Sequence, residues 1–331
     1  MGAALASFMS CSKGNAQTAE APAAEVEDAD SSAVVYVTRE ISPESLVRIY
    51  EALGRKAEGR VAVKISTGES GGHNYLKPEL IRQLVDTVHG TLVECNTAYG
   101  GSRQQTSKHW ETIREHGFLD IAKVDIMDEE GEIRIPVVDT TWIKYDIVGS
   151  HIQNYDFMIN LAHYKGHQMG GFGGVLKNAS IGVASTAGKA YIHSHGVTDD
   201  AAKCWAPEII SQQDAFLESM AAAAQAVHNY FGNGERILYI SVMNNMSIDC
   251  DCDSHPAEPL IADYGIVASL DPVALDQASY DIVCSIHNDE HNNTKPLLDR
   301  IAKQHGTHIM ETAEKNGMGT RAYRLVSIDE K

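Results

Sequence analysis

Apolar segments of two periodicities alternate along the chain from Ala33 onward, and this alternation restricts the fold more than any other feature. Short runs rich in β-branched residues, at 33–38, 60–65 and 237–242, are typical of buried strands. Between such runs lie segments with the 3.6-residue period of amphipathic helices, for example 214–231. Strands that alternate with helices favour an α/β fold, with a mostly parallel sheet and helices on both faces. We therefore expect residues 33–331 to form a single α/β domain.

Two local signals inside this domain make more specific predictions. Asp271 precedes Pro272, so its simplest role is to cap the helix that begins there. Asp276 falls in the second turn of that helix and is either a site carboxylate or a surface residue. The segments 124–127 and 132–138 flank a turn sequence and are predicted to form a hairpin.

The first 32 residues differ from the rest of the chain in composition. A short apolar stretch ends in Ser10-Cys11, which resembles the end of a truncated bacterial lipoprotein signal. Residues 12–32 are rich in Ala, Glu, Asp and Gln without apolar periodicity, as in a flexible tether. These features predict a periplasmic or outer-membrane-anchored lipoprotein, with the membrane contacted only through a lipid on Cys11. The alternative is a disordered tail on a cytoplasmic protein.

The charge of the chain argues against two classes of partner. Asp and Glu outnumber Lys and Arg by 45 to 27, for a formal net charge of −18. A protein that binds nucleic acid must neutralise phosphates with basic side chains, and this chain has no long basic run. We therefore expect no nucleic-acid partner and no binding to an anionic membrane surface. The expected partner is a small-molecule ligand, and an anionic one would need a local basic pocket.

The six cysteines are too few for a disulfide scaffold in a chain of 331 residues. The sequence contains no CxxC pair and no closely spaced run of the ferredoxin type.

The most informative stretch runs from Phe157 to His195, with the sequence FMINLAHYKGHQMGGFGGVLKNASIGVASTAGKAYIHSH. A predicted strand delivers His163, Lys165 and His167 to a loop, and closely spaced glycines then lead into a helix that carries Lys177 and Asn178. Glycines let the backbone approach a ligand closely, and a helix N-terminus offers unpaired N–H groups to an anion. The alternative is that these glycines only form a tightly packed turn.

Histidines are concentrated in the same stretch. His163 and His167 are four residues apart, although Gly166 disfavours a helix between them. His193 and His195 would lie on one face if the chain were extended there. These imidazoles could bind a metal ion, contact a substrate or anion, or be structural.

A second motif, at 249–253, alternates aspartate with Cys250 and Cys252. In an extended chain both thiols would face one side, forming a soft metal site with His255 nearby. A disulfide between them is disfavoured by strand geometry. The alternative is that both cysteines pack as small apolar residues.

With both motifs considered, the chain resembles the bacterial and archaeal family known as domain of unknown function 362, often labelled iron–sulfur-centre proteins. The resemblance covers roughly residues 60–285 and is most specific in the stretch KGHQMGGFGGVLKNASIGVASTAGK. Matched positions include Lys64, Gly68, Pro78, Asn96, Tyr99, Arg103, His109, Lys165, Gly166, His167, Gly171, Gly173, Gly174, Lys177, Asn178, Gly182, Gly188, Lys189, His193 and Ser194. The resemblance implies no particular reaction, because none is assigned to the family.

One departure from the family matters for cofactors. Many members carry a ferredoxin-like cysteine cluster after the glycine-rich motif, where this chain has only Cys204 within 196–212. A four-cysteine iron–sulfur cluster is therefore not expected, although a zinc or iron ion is.

The leading functional hypothesis is a metal-dependent enzyme that acts on a small anionic or carbonyl substrate. The predicted metal ligands are His163, His167, Cys250 and Cys252. The predicted catalytic residues are Lys165, Lys177, His109 and His193. The predicted substrate contacts are Lys64, Asn96, Tyr99, Arg103, Gly173, Gly174, Asn178 and Lys189. Two alternatives remain open, a non-catalytic periplasmic lipoprotein that binds a metal or anion, and an electron-transfer iron–sulfur protein.

Overall fold

The structure is a computed structural model that describes residues 32–329. Its strands are β1 (Ala33–Thr38), β2 (Val61–Lys64), β3 (Thr91–Glu94), β4 (Val124–Ile126), β5 (Glu132–Ile135), β6 (Asp146–Gly149), β7 (Phe157–His163), β8 (Lys165–His167), β9 (Gly171–Gly173), β10 (Ile237–Met243), β11 (Gly265–Ser269) and β12 (Tyr323–Ser327). Its α-helices are α1 (Pro43–Ala52), α2 (Pro78–Val88), α3 (Thr106–Glu115), α4 (Val175–Ala179), α5 (Thr186–His193), α6 (Pro207–Ile210), α7 (Gln213–Tyr230), α8 (Pro272–Ser285), α9 (Lys295–Lys303) and α10 (His308–Lys315).

Eight strands form the central sheet, in the order β12-β1-β11-β10-β7-β2-β3-β4. Strands β10, β7, β2, β3 and β4 are joined by parallel pairings, as are β1 and β12. Only the two pairings made by β11 within this sheet are antiparallel. The residues of β2, β7 and β10 are buried throughout, as expected for strands covered on both faces.

Helices pack against both faces of this sheet, each with its own hydrophobic core. One face is covered by α1, α2 and α3, whose apolar residues pack with the sheet around Leu46, Ile81 and Ile113. The other face is covered by helices that include α4, α7 and α8, packed around Leu176 and Ala223. The predicted α/β fold with a mostly parallel sheet is therefore confirmed.

The predicted hairpin between 124–127 and 132–138 is wrong. Strand β4 instead joins the edge of the central sheet beside β3, while β5 pairs with β6 in a separate two-stranded sheet. The cause is a turn at Asp128–Gly131 that sends the two segments to different partners, since Met127 is fully buried against the main sheet.

Asp271 caps α8 as predicted, because its carboxylate accepts hydrogen bonds from the backbone N–H groups of Val273 and Ala274. The predicted signal and tether lie outside the described residues apart from Ser32. Between residues 32 and 329, no helix has the length and apolar character needed to cross a bilayer.

Candidate functional site

Three neighbouring strands end in ionisable side chains at one edge of the sheet. Lys64, Glu94 and His163 are the last residues of β2, β3 and β7, which run parallel as adjacent strands. A cavity of about 580 Å³ lies at this edge and is lined by all three residues. Ligands of open α/β sheets bind outside the carboxyl ends of the strands, so the cavity occupies the expected position.

The cavity brings together all but two of the predicted metal ligands, catalytic residues and substrate contacts. Those that line it are Lys64, Tyr99, Arg103, His163, Lys165, His167, Gly173, Gly174, Lys177, Asn178, Lys189, His193, Cys250 and Cys252. Residues that are more than 180 positions apart in the chain therefore share one wall. The two exceptions are Asn96 and His109, which lie behind it.

His109 supports a carboxylate from behind the cavity. Its Nε2 atom lies 3.1 Å from Glu94 Oε2, and its Nδ1 atom lies 3.1 Å from Asn96 Oδ1. The imidazole is completely buried, and both ring nitrogens are bonded to protein groups. This placement contradicts the expectation that His109 transfers protons to a substrate and that Asn96 contacts one. Both residues fix the orientation of Glu94.

Arg103 joins two buried carboxylates on the same wall. Its Nη1 atom is 2.5 Å from Glu94 Oε1, and its Nε atom is 3.2 Å from Glu69 Oε2. Burial raises the pKa of Glu94, but Arg103 and His109 outweigh burial and lower that pKa overall. Arg103 also donates a hydrogen bond to the hydroxyl of Tyr99. The guanidinium is thus already matched by negative charge.

His163 is held by hydrogen bonds at both ring nitrogens. Its Nδ1 atom lies 2.9 Å from Asp251 Oδ1, and its Nε2 atom lies 2.7 Å from the carbonyl oxygen of Asn244. The second oxygen of Asp251 accepts a hydrogen bond of 2.7 Å from Lys165. Because no ring nitrogen remains available, this arrangement contradicts the prediction that His163 is a metal ligand. The contacts of Asp251 with His163 and Lys165 instead hold the cysteine motif in position.

The other three predicted metal ligands converge. Donor atoms of His167, Cys250 and Cys252 lie within 4.8 Å of one another. The cysteine motif forms a turn rather than the extended chain expected from its alternation, yet both thiols reach the cavity. Two thiols and an imidazole form a donor set that suits zinc or iron(II). His255 is exposed and lies outside this cluster.

Neighbouring groups favour ionisation of the Cys250 thiol over that of Cys252. A hydrogen bond from the Cys252 thiol outweighs burial and lowers the pKa of Cys250 well below its usual value. The ammonium groups of Lys177 and Lys165 lower this pKa further. Cys252 donates that hydrogen bond, and the bond and burial raise its own pKa. The pair therefore offers one anionic sulfur next to the cavity before any ligand binds.

The two cavity histidines have opposite tautomers. The Nδ1 atom of His167 accepts a hydrogen bond of 2.8 Å from the N–H of Gly170, so its proton is on Nε2 and metal binding through this imidazole would require that hydrogen bond to break. The Nδ1 atom of His193 donates to the carbonyl of Lys189 at 2.7 Å, which leaves Nε2 unprotonated. Burial lowers the pKa of both imidazoles, to about 4 for His193. Both rings are therefore neutral at pH 7.

His193 and His195 do not share a face as expected for an extended chain. His193 ends α5, and its ring stacks on Phe216 with centroids 4.8 Å apart. His195 follows the helix with a φ of 44° and contacts the edge of Trp142. The helix end turns His195 away from the cavity.

The glycine-rich segment has two structural roles. A Cβ atom at Gly174 would collide with the carboxylate of Asp276, and one at Gly166 would collide with the backbone of Ile248. Gly173, by contrast, faces the side chains of Lys165 and Lys177 at ordinary contact distances. Close packing therefore explains the glycines at positions 166 and 174, whereas Gly173 forms part of the cavity wall.

Asp276 occupies the N-terminus of α4. Its two carboxylate oxygens accept hydrogen bonds of 2.8 and 3.0 Å from the N–H groups of Val175 and Leu176. The expectation that this helix terminus is free for a ligand anion is thus wrong. Asp276 is neither a surface residue nor part of the cavity lining.

Sequence reasoning missed three important carboxylates, Glu69, Glu94 and Asp251. Glu94 carried a signal, since an acidic residue at the end of a buried strand is costly unless it is paired. Asp251 stands between the two cysteines and could have been singled out with them.

Fold and site together define an α/β protein with a ligand cavity at the carboxyl edge of its parallel strands. The chain belongs to the family described as Domain of unknown function (DUF362), which matches residues 61–281. No curated protein matches the chain.

Two solved structures are similar to it at low identity. One is the lactate racemase apoprotein from Thermoanaerobacterium thermosaccharolyticum, with 11% identity, a TM-score of 0.43 and coverage of 78% of this chain and 58% of that chain. The other is a protein from Thermotoga maritima, with 12% identity, a TM-score of 0.40 and coverage of 82% and 58%. This chain thus spans 58% of the length of each structure.

Proposed function

We propose that this protein is a metal-dependent enzyme that acts on an anionic substrate carrying a carbonyl or hydroxyl group. The observation that carries the proposal is the cluster of His167, Cys250 and Cys252, whose donor atoms lie within 4.8 Å of one another on the wall of a basic cavity. Clusters of soft donors are unusual in ordinary packing, and here the cluster faces a cavity large enough for a substrate.

The residues around the cluster favour a metal site over packed cysteines. The ammonium of Lys177 lies 3.5 Å from the sulfur of Cys250 and lowers the pKa of that thiol. Asp251 fixes the turn between the two cysteines through Lys165 and His163. A buried thiolate is costly without such partners, so its retention next to a cavity fits a ligand-binding role. A bound zinc or iron(II) ion would polarise a substrate oxygen as a Lewis acid.

The other cavity residues would bind and orient the substrate. Nε2 of His193 is unprotonated at neutral pH and can accept a hydrogen bond from a substrate hydroxyl. Lys177 supplies a cation beside the cysteines, because its pKa is raised by Cys250 and Cys252 despite burial. Glu94 and Arg103 form an ion pair, so their charges compensate each other. We assign both residues a structural role in the cavity wall rather than a role in proton transfer.

Metal binding is tested by titrating Zn²⁺ into tag-free, chelator-treated protein while following the heat released. We expect one tight site per chain, and we expect the double variant C250S/C252S to lose it. The matched control is Cys284→Ser, because Cys284 is exposed and lies outside the cluster. Equal binding by both variants, or no binding by the native protein, would contradict the proposal.

Catalysis is tested separately from binding. Metal-loaded protein is incubated with a library of hydroxy- and oxo-carboxylates, and substrate consumption is followed by NMR. We expect turnover of at least one compound, abolished in C250S/C252S and retained in Cys284→Ser. Tight metal binding without turnover of any compound would instead indicate a non-catalytic binding protein.

A further inference from the structure

The basic side chains of the cavity fall into two groups by their pairing. Arg103 bonds to Glu69 and Glu94, Lys165 bonds to Asp251, and Lys177 contacts the Cys250 sulfur. Lys64 and Lys189 form no salt bridge with any residue between positions 32 and 329. The cavity therefore contains two buried amines whose charge is unmatched.

The hydrogen bonds of these two amines leave donors unused. Nζ of Lys64 bonds to the carbonyl of Ile65 and, at 3.2 Å, to Oδ1 of Asn178. Nζ of Lys189 bonds to the carbonyl of Ala184. A protonated lysine has three N–H donors, so both residues can donate to a ligand. Their exposed fractions are only 1% and 6%, which makes the missing counter-charge costly.

Electrostatics place the two amines in the same environment. Burial is the main cause that lowers the pKa of Lys64 to about 7, and repulsion by Lys189 contributes to the same shift while Glu94 opposes it. Burial likewise lowers the pKa of Lys189. Glu94, Cys95 and Arg103 act electrostatically on both amines, and Asp128 acts on Lys189. A ligand anion bound between the amines would supply the charge that these groups do not.

Another part of the cavity wall is apolar. Met169, Trp205 and Ile210 line it, and the Trp205 ring lies 5.0 Å from that of His193. Ile210 is 41% exposed, so this wall reaches the solvent. At about 580 Å³ the cavity is within the range that encloses drug-sized ligands and is much larger than a two-carbon acid requires.

We infer that the ligand of this cavity is a carboxylate with an apolar body. Its carboxylate is held between Lys64 and Lys189, and its apolar body lies against Trp205, Met169 and Ile210. A phosphate ester is disfavoured, because Asp276 already occupies the helix terminus that would have cradled one. The inference rests on the proposed function only in taking this cavity as the substrate site.

The test is calorimetric titration of metal-free and zinc-loaded protein with four probes, acetate, octanoate, octanamide and octyl phosphate. We expect octanoate to bind at least about tenfold more tightly than acetate, octanamide or octyl phosphate. Octyl phosphate binding more tightly than octanoate would overturn the carboxylate assignment. Equal affinity for acetate and octanoate would overturn the inference that the ligand has an apolar body.

Variants locate the two subsites. Lys189→Met should weaken octanoate binding about tenfold or more. Lys56→Met should leave it unchanged, because Lys56 is exposed and its side chain bonds to no residue from 32 to 329. Trp205→Ala should weaken octanoate and leave acetate unchanged. The Tm of Lys189→Met should change little, because removal of a buried charge without a salt bridge offsets the loss of its hydrogen bond to the Ala184 carbonyl. Unchanged octanoate affinity in folded Lys189→Met would overturn the inference. If the native protein bound octanoate but no zinc, only the proposed function would be overturned.

Discussion

The ammonium of Lys177 lies 3.5 Å from the sulfur of Cys250, which joins the two sequence motifs in one contact. The lysine comes from α4, immediately after the glycine-rich segment, and the cysteine comes from a turn 73 residues later. This pairing places a cation beside an anionic sulfur at the cavity wall. The proposed metal site lies at this contact.

Lys177→Met should make the Cys250 thiol harder to ionise in the metal-free protein. The variant keeps the length of the side chain but removes the charge that lowers the pKa of Cys250. We expect the pH profile of iodoacetamide alkylation at Cys250, followed by mass spectrometry, to move to higher pH. The same profile should be unaffected by Lys56→Met. A profile that stays in place in Lys177→Met would show that the lysine does not act on the thiolate.

Gly166→Ala should disturb the cysteine motif from a position outside it. The N–H of Gly166 donates to the carbonyl of Ser247 at 2.8 Å, and a Cβ atom there would collide with the backbone of Ile248. We expect the free energy of unfolding to fall by about 1–3 kcal/mol, as for other overpacked sites, and zinc affinity to fall with it. Gly100→Ala is the control, because nothing lies within 4 Å of its added Cβ atom. Native stability in Gly166→Ala, measured by urea unfolding, would contradict this role.

Asp276→Ala should destabilise the segment that carries Lys177. The substitution leaves the N–H groups of Val175 and Leu176 buried without their acceptor, which costs about 1–3 kcal/mol for each unsatisfied group. We expect a lower Tm and faster hydrogen exchange at both amides, measured by mass spectrometry. If exchange at these amides were unchanged, the capping role assigned to Asp276 would be incorrect.

Asp146 should make the protein less stable as the pH rises from about 4 to about 7. Its carboxylate is fully buried without a side-chain partner among the described residues, and burial raises its pKa from 3.8 to about 7 despite the Ile147 N–H and Lys189. Between these values the unfolded state has lost the proton that the folded state retains, so stability falls with rising pH. The loss amounts to about 4 kcal/mol at most.

Asp146→Asn removes this ionisation, so the difference in stability between pH 4 and pH 8 should shrink in urea-unfolding measurements. The control is Asp86→Asn, on the exposed face of α2, which should keep the native pH dependence. A variant at position 146 with the native pH dependence would contradict the assignment.

The fold was predictable because its signals are local. Strand and helix periodicities depend only on a few consecutive residues. The same is true of the capping signal at Asp271, and the structure has the predicted cap. The hairpin prediction failed because strand pairing depends on distant partners. Strand β4 pairs with β3, more than 30 residues earlier, and nothing in the sequence between 124 and 138 specifies that choice.

The site was predictable in its members but not in its pairings. Lys64 was predicted only from the family resemblance, whereas the glycine-rich segment stands out by its composition. The environment of each imidazole was not predictable. Both ring nitrogens of His163 are occupied by hydrogen bonds to Asp251 and Asn244, which lie more than 80 residues away in the chain. Both histidines are buried, so their hydrogen-bond partners, rather than burial or residue type, separate His163 from His167.

We propose that Cys250 and Cys252 hold a metal ion at the cavity wall. The most direct measurement is zinc K-edge X-ray absorption of protein loaded with one equivalent of Zn²⁺. We expect two sulfur neighbours at about 2.3 Å together with lighter nitrogen or oxygen ligands. A spectrum with only nitrogen and oxygen neighbours, or an absence of bound zinc, would contradict it.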